Sequence, residues 1–109
     1  MTQEIGQYLE RYPAEIVQLF TEIREIACSL DGITVTETLW AKLPSYYCGE
    51  KFVRIIPFKD HINIEAAGLS RNAEQLSAYR FTPKGMLQVK AGQKPDSAIL
   101  KKAFTETLR

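Results

Sequence analysis

Tyr46-Tyr47-Cys48-Gly49-Glu50-Lys51-Phe52-Val53-Arg54-Ile55-Ile56-Pro57-Phe58-Lys59-Asp60-His61-Ile62-Asn63-Ile64-Glu65-Ala66 is the stretch on which the fold turns. Two-residue turns at Gly49-Glu50 and Lys59-Asp60 divide it into three short, β-branched and aromatic runs, the pattern of an antiparallel meander. Turning at Lys59-Asp60 sets Pro57 opposite Ile62, Ile55 opposite Ile64 and Arg54 opposite Glu65. Turning at Gly49-Glu50 sets Val53 opposite Tyr46 and Phe52 opposite Tyr47. Both turns agree on one apolar face: Tyr46, Val53, Ile55, Pro57, Ile62, Ile64 and Ala66. The other face carries Tyr47, Phe52, Arg54, Ile56, Phe58, His61, Asn63 and Glu65. A one-residue slip would exchange the two, so this register is the test of the reading.

Helical patterns lie on either side of the meander. Glu4 to Arg11 reads as a short helix with Thr2 as N-cap. Pro13 suits the first position of a second helix, where Ile16, Leu19, Phe20, Ile23, Ile26, Ala27 and Leu30 recur at helical spacing until Asp31-Gly32 closes it. Residues 33–43 read as one extended segment reaching an edge or bend at Pro44. Beyond Gly68 come a loop and short helix with Ala73, Leu76 and Tyr79 on one side. A turn at Thr82-Pro83-Lys84-Gly85, a strand Met86 to Lys90 and a last helix capped by Asp96 or Ser97 complete the chain. The order predicts a single domain over residues 1–109. Its class is α+β in two layers, an antiparallel sheet of about four to five strands with N- and C-terminal helices on one face.

The composition, 45% hydrophobic, 25% charged and a net charge of +1 over 109 residues, belongs to an ordinary folded domain. The near-zero charge argues against a nucleic-acid partner. No apolar run is long enough for a membrane span and no signal peptide opens the chain, so the expected location is cytoplasmic. Cys28 and Cys48 have no metal or redox spacing and read as free thiols. The charge is unevenly laid out: residues 1–40 carry seven acidic and two basic side chains, residues 71–109 three and eight. One explanation is attraction between the terminal helices; the others are a cation site on the acidic part or an anion or partner surface on the basic part.

Several pieces taken in order resemble the YdhG-like family of small bacterial domains of unknown function. They are Tyr8-Leu9-Glu10-Arg11-Tyr12-Pro13-Ala14-Glu15, Leu39-Trp40-Ala41-Lys42-Leu43-Pro44-Ser45-Tyr46, Pro57-Phe58-Lys59-Asp60-His61-Ile62-Asn63-Ile64 and Tyr79-Arg80-Phe81-Thr82-Pro83-Lys84-Gly85-Met86-Leu87-Gln88-Val89. The resemblance implies an α+β fold and, for some relatives, a role as frataxin-like iron chaperones. It implies no catalytic residues.

Two candidate sites follow. Glu15, Glu22 and Glu25 fall along one flank of the second helix and supply the oxygen ligands that hard cations prefer, which makes iron a possible cargo; the plainer reading is a solvated helix face. Tyr47, Phe52, Arg54, Phe58, His61 and Glu65 have the composition of a binding surface, to be covered by the protein's own helices, a second subunit or protein partner, or a small ligand. The basic turn at Thr82–Gly85 lacks the glycines of a phosphate loop. No nucleophile, base and orienting group stand together, so the expectation is a binding protein without catalytic residues.

Overall fold

The computed structural model describes all 109 residues. The first helix, α1, spans Gln3–Leu9, and Thr2 caps it by accepting the Ile5 amide. The second, α2, spans Ala14–Cys28, with Pro13 at the N-cap rather than inside the first turn. Strands follow in chain order: β1 (Thr36–Trp40), β2 (Leu43–Cys48), β3 (Lys51–Pro57), β4 (His61–Glu65), β5 (Arg80–Phe81) and β6 (Leu87–Lys90). A 3₁₀ helix covers Ala67–Asn72, and α3 runs Ser97–Leu108 from an Asp96 cap. The strands form one antiparallel sheet of six in the order β1-β2-β3-β4-β6-β5.

The meander register is the expected one. Tyr46 faces Val53 and Tyr47 faces Phe52; Ile55 faces Ile64 and Pro57 faces Ile62. All of the apolar face is buried. It meets Ile16, Phe20 and Ile23 of α2 and Leu100, Phe104 and Leu108 of α3 in one core cluster. Each such side chain, fully buried, contributes roughly 1.5–3 kcal/mol before conformational entropy is counted. The architecture is therefore the predicted α+β class, with every helix on one side of the sheet.

Three expectations need correction. The segment 33–43 is not one extended run: the chain reverses at Ala41 and Lys42, both at positive φ (49° and 66°), so the sheet gains β1, a strand beyond those foreseen. Left-handed backbone usually advertises itself through Gly or Asn, and neither stands here. Pro44 lies inside β2 rather than at a bend; the β2–β3 ladder begins one residue later, at Ser45, so no ladder bond requires the amide that proline lacks. The short helix near Leu76 is instead a 3₁₀ helix earlier in the chain, held by close contact with α3. Gly68 donates its amide to Thr107 Oγ1 at 2.8 Å, and Asn72 Nδ2 reaches Gly68 O and Glu106 Oε1, each at 2.8 Å.

The first strand is tied to the N-terminal helix. Glu4 Oε1 accepts the Leu39 amide, and Glu37 accepts the Thr2 amide at 2.6 Å, Arg24 Nε at 2.5 Å and the Tyr46 hydroxyl at 2.7 Å. Neither the ion pairs Arg24–Glu37 and Arg54–Glu65 nor the His61–Asp60 hydrogen bond joins the acidic flank of α2 to the basic residues of α3. Attraction between the terminal helices is thus not expressed as direct pairs. No helix is long and apolar enough to cross a membrane.

Candidate functional site

Because side chains alternate along a strand, the face turned away from the helices can be written as cross-strand rows. One row is Thr38, Ser45, Arg54 and Glu65; the next is Ile56, Asn63, Gln88 and Arg80. Thr36, Tyr47 and Phe52 lie beyond the first, and His61 with Lys90 beyond the second.

Arg54 is the centre of the first row and only 6% exposed. Its guanidinium lies between two rings, 3.7 Å from the centre of Phe52 and 4.1 Å from that of Trp40. In its own plane it donates to Ser45 Oγ at 3.2 Å, Tyr47 OH at 2.9 Å and Glu65 Oε1 at 3.3 Å. Stacking above and below with donation at the rim is the geometry in which a buried arginine is tolerated. Trp40, which roofs it, is 53% exposed.

Of the six residues singled out in the sequence, Tyr47, Phe52, Arg54 and Glu65 form this one cluster. Phe58 and His61 form a separate one at the β3–β4 turn, where their rings stack 4.5 Å apart at 11°. His61 Nδ1 lies 2.7 Å from Asp60 Oδ1, and this hydrogen bond holds the Asp60 carboxyl below its usual range. Phe58 is 41% exposed.

Sequence reasoning missed Trp40 and Gln88, and placed Asn63 on this face without making it a site residue. Trp40 was hidden by the unrecognised turn at Ala41-Lys42; with that turn in place, the alternation Thr36, Thr38, Trp40 puts it on this face. Asn63 and Gln88 stand directly opposite one another, and the carbonyl oxygens of both side chains are withdrawn from solvent without a donor. Acceptors left without a donor in this way carry a desolvation cost of about 1–3 kcal/mol.

The acidic flank is a different place. Glu15, Glu22 and Glu25 line a groove of about 680 Å³ between α2 and the 92–97 loop, whose other lining residues include Gln18, Lys94 and Ser97. The structure brings the three glutamates to one groove, but no three His, Cys, Asp or Glu side chains gather to hold a metal ion anywhere in the chain. The three glutamates lie along the exposed flank of α2, with Glu22 and Glu25 adjacent and Glu15 two turns away. A second cavity, of about 460 Å³, lies beside Met1, Arg24 and Cys28. Partial burial pushes the Cys28 thiol up, with Arg24 opposing, so it is no activated nucleophile. Both cysteines are free. Neither cavity is lined by the row residues.

Comparison with protein-family models, with curated proteins and with solved structures finds no match in any of the three. Fold and site together define a small two-layer α+β domain with one helix-free, aromatic-rich sheet face.

Proposed function

We propose that the protein is a non-enzymatic binding module that docks another macromolecule on its helix-free sheet face. The observation that carries this reading is that a face built of Trp40, Tyr47, Phe52, Arg54, Phe58 and His61 lies opposite the helix-packed core and leaves Trp40 and Phe58 exposed. Tryptophan, tyrosine and arginine are the residues that dominate binding energy when desolvated at an interface. Exposed aromatic side chains at two separate places on the face, Trp40 and Phe58, favour a broad partner over an enclosed small ligand. The iron-carrier reading rests on the α2 flank, where the ligand gathering it requires is missing.

The test places a photo-crosslinking amino acid at position 58 and, separately, at position 22 on the α2 flank, in the full chain expressed in cells. Adducts from position 58 and not from position 22 are expected; none from position 58 overturns the proposal. In parallel, Phe58→Ser should cost under about 1 kcal/mol of stability, as an exposed position does. Collapse of the fold in that variant would make the face part of the core and also overturn it.

A further inference from the structure

We infer that the macromolecule docked on this face is a single-stranded nucleic acid, with bases stacked on Trp40 and Phe58 and phosphates against the cations beside them. The inference rests on the docking role of the face.

Both rings are held ready for stacking. Trp40 is 53% exposed and has the Arg54 guanidinium behind it at 4.1 Å; Phe58 is 41% exposed and has the His61 ring behind it at 4.5 Å and 11°. Each ring is thus backed by a flat group on its inner side and meets solvent on the outer one. Such a surface takes a flat π-system with little further loss of side-chain freedom, and every nucleobase has one. Trp40 ends β1 and Phe58 follows β3, two strands across and two residues along, so roughly 12 Å separates the two positions. A single strand, whose bases can be splayed out, can lay one base on each ring. The bases of a duplex are stacked on one another and have no free face to offer.

The charges around the rings are complementary to phosphate. Lys42 in the β1–β2 turn, Lys59 in the β3–β4 turn and Lys90 at the end of β6 stand at the same end of the sheet as the rings, and Arg80 lies on β5 beyond Gln88. All four are exposed and none is in an ion pair. Asp60 is the carboxylate that stands with them, since Glu65 is paired with Arg54; four cations against one carboxylate leave a local excess of three. The near-zero net charge, which argues against a nucleic-acid partner, is an average over two unlike sides. Glu4, Glu15, Glu22 and Glu25 belong to α1 and α2, behind the sheet, where they do not oppose a strand laid on the front. An acidic peptide would match these charges but leave the backed rings uncovered.

Fluorescence anisotropy of a labelled single-stranded 12-mer of deoxythymidine, titrated with the full chain at 50 mM salt, tests the inference. Saturable binding is expected, with a dissociation constant on the order of tens of micromolar, and three phosphate contacts make log K fall by about 2 per decade of salt. Unlabelled 12-mer should quench the emission of Trp40, the one tryptophan. Phe58→Ser should weaken binding at least about fivefold, as loss of one stacked base does. Lys59→Glu and Lys90→Glu should each weaken it about as much, and both decide the matter if Phe58→Ser fails to fold. Glu22→Gln, on the α2 flank, should change nothing. A duplex of the same length should bind at least about tenfold more weakly. No binding at 1 mM protein, binding indifferent to Lys59→Glu and Lys90→Glu, or a polyglutamate 12-mer bound as tightly as the oligonucleotide overturns the nucleic acid as occupant. Protein adducts from position 58 would then leave the docking role standing; their absence as well would remove both.

Discussion

The Arg54 guanidinium lies 3.7 Å from the centre of the Phe52 ring, with Trp40 on its other side, in a sheet face that no helix covers. A charge is thus kept out of water by a slot that is apolar above and below and polar only at its rim. Arg54→Lys keeps the charge but loses the planar stack and the three-way donation, whereas Arg54→Met fills the slot without a charge. Lysine should therefore be the more damaging change, costing about 2–3 kcal/mol against about 1 kcal/mol for methionine in urea unfolding. The opposite order would show that the charge and not the stacking matters at this position.

Glu37 predicts the acid limb of stability. Burial opposes its ionisation, but hydrogen bonds from Arg24, the Thr2 amide and the Tyr46 hydroxyl more than offset this and hold its carboxyl below the usual range. Burial and the same carboxylate push the Tyr46 hydroxyl up. A depressed folded-state value contributes stability that is fully present above the ordinary carboxylate range and is lost as pH falls through the lower folded value. Glu37→Gln should cost about 2 kcal/mol at pH 7 and flatten the decline below about pH 4.5. Melting temperature against pH for the two proteins checks both parts.

Gly68 packs on the main chain of α3, and a Cβ there would come 2.3 Å from Ala103 O and 2.9 Å from Thr107 Oγ1. A carbonyl oxygen in mid-helix cannot turn aside. Gly68→Ala should destabilise by about 2–4 kcal/mol, measured by urea unfolding, and weaken amide protection across the 3₁₀ helix. Gly6→Ala, with open space around the new carbon and a helical position, should be neutral or mildly stabilising.

The turn between β1 and β2 holds Ala41 and Lys42 in left-handed backbone. Asn-Gly is the pair that adopts this geometry most readily. Ala41→Asn combined with Lys42→Gly should stabilise by about 1 kcal/mol without moving any side chain of the open face. Equilibrium unfolding supplies the number, and an unchanged Trp40 emission the control.

What could be read in the sequence follows from where its signals are local. The turns at Gly49-Glu50 and Lys59-Asp60 carry their own turn chemistry, so the register from Tyr46 to Glu65, and with it the Arg54–Glu65 and Tyr47–Phe52 pairs, was legible. Asp96, Thr2 and the Thr82–Gly85 turn were legible for the same reason; Gly85 donates to Thr82 O at 2.9 Å. The Ala41-Lys42 reversal was not, because its residues show no preference for positive φ. Trp40 was lost with it, although it covers the very arginine the sequence had singled out. The orphaned amides depend on which strand lies beyond β4, a long-range fact: β6 pairs there only after the chain has passed through the 3₁₀ helix and β5.

The hydrogen bond from the Leu39 amide to Glu4 has a consequence for the protein's solubility. β1 is the long outer strand of the sheet, and its outward amides are what a stray strand would seize to extend the ladder. Glu4 occupies one of them with a negative charge, and at the far side β5 offers only two residues to pair with. With both rims blunted in this way, copies of the chain are denied the open-ended, edge-to-edge stacking that leads to fibres. Glu4→Ala should expose the difference as slow aggregation at concentrations the parent chain tolerates.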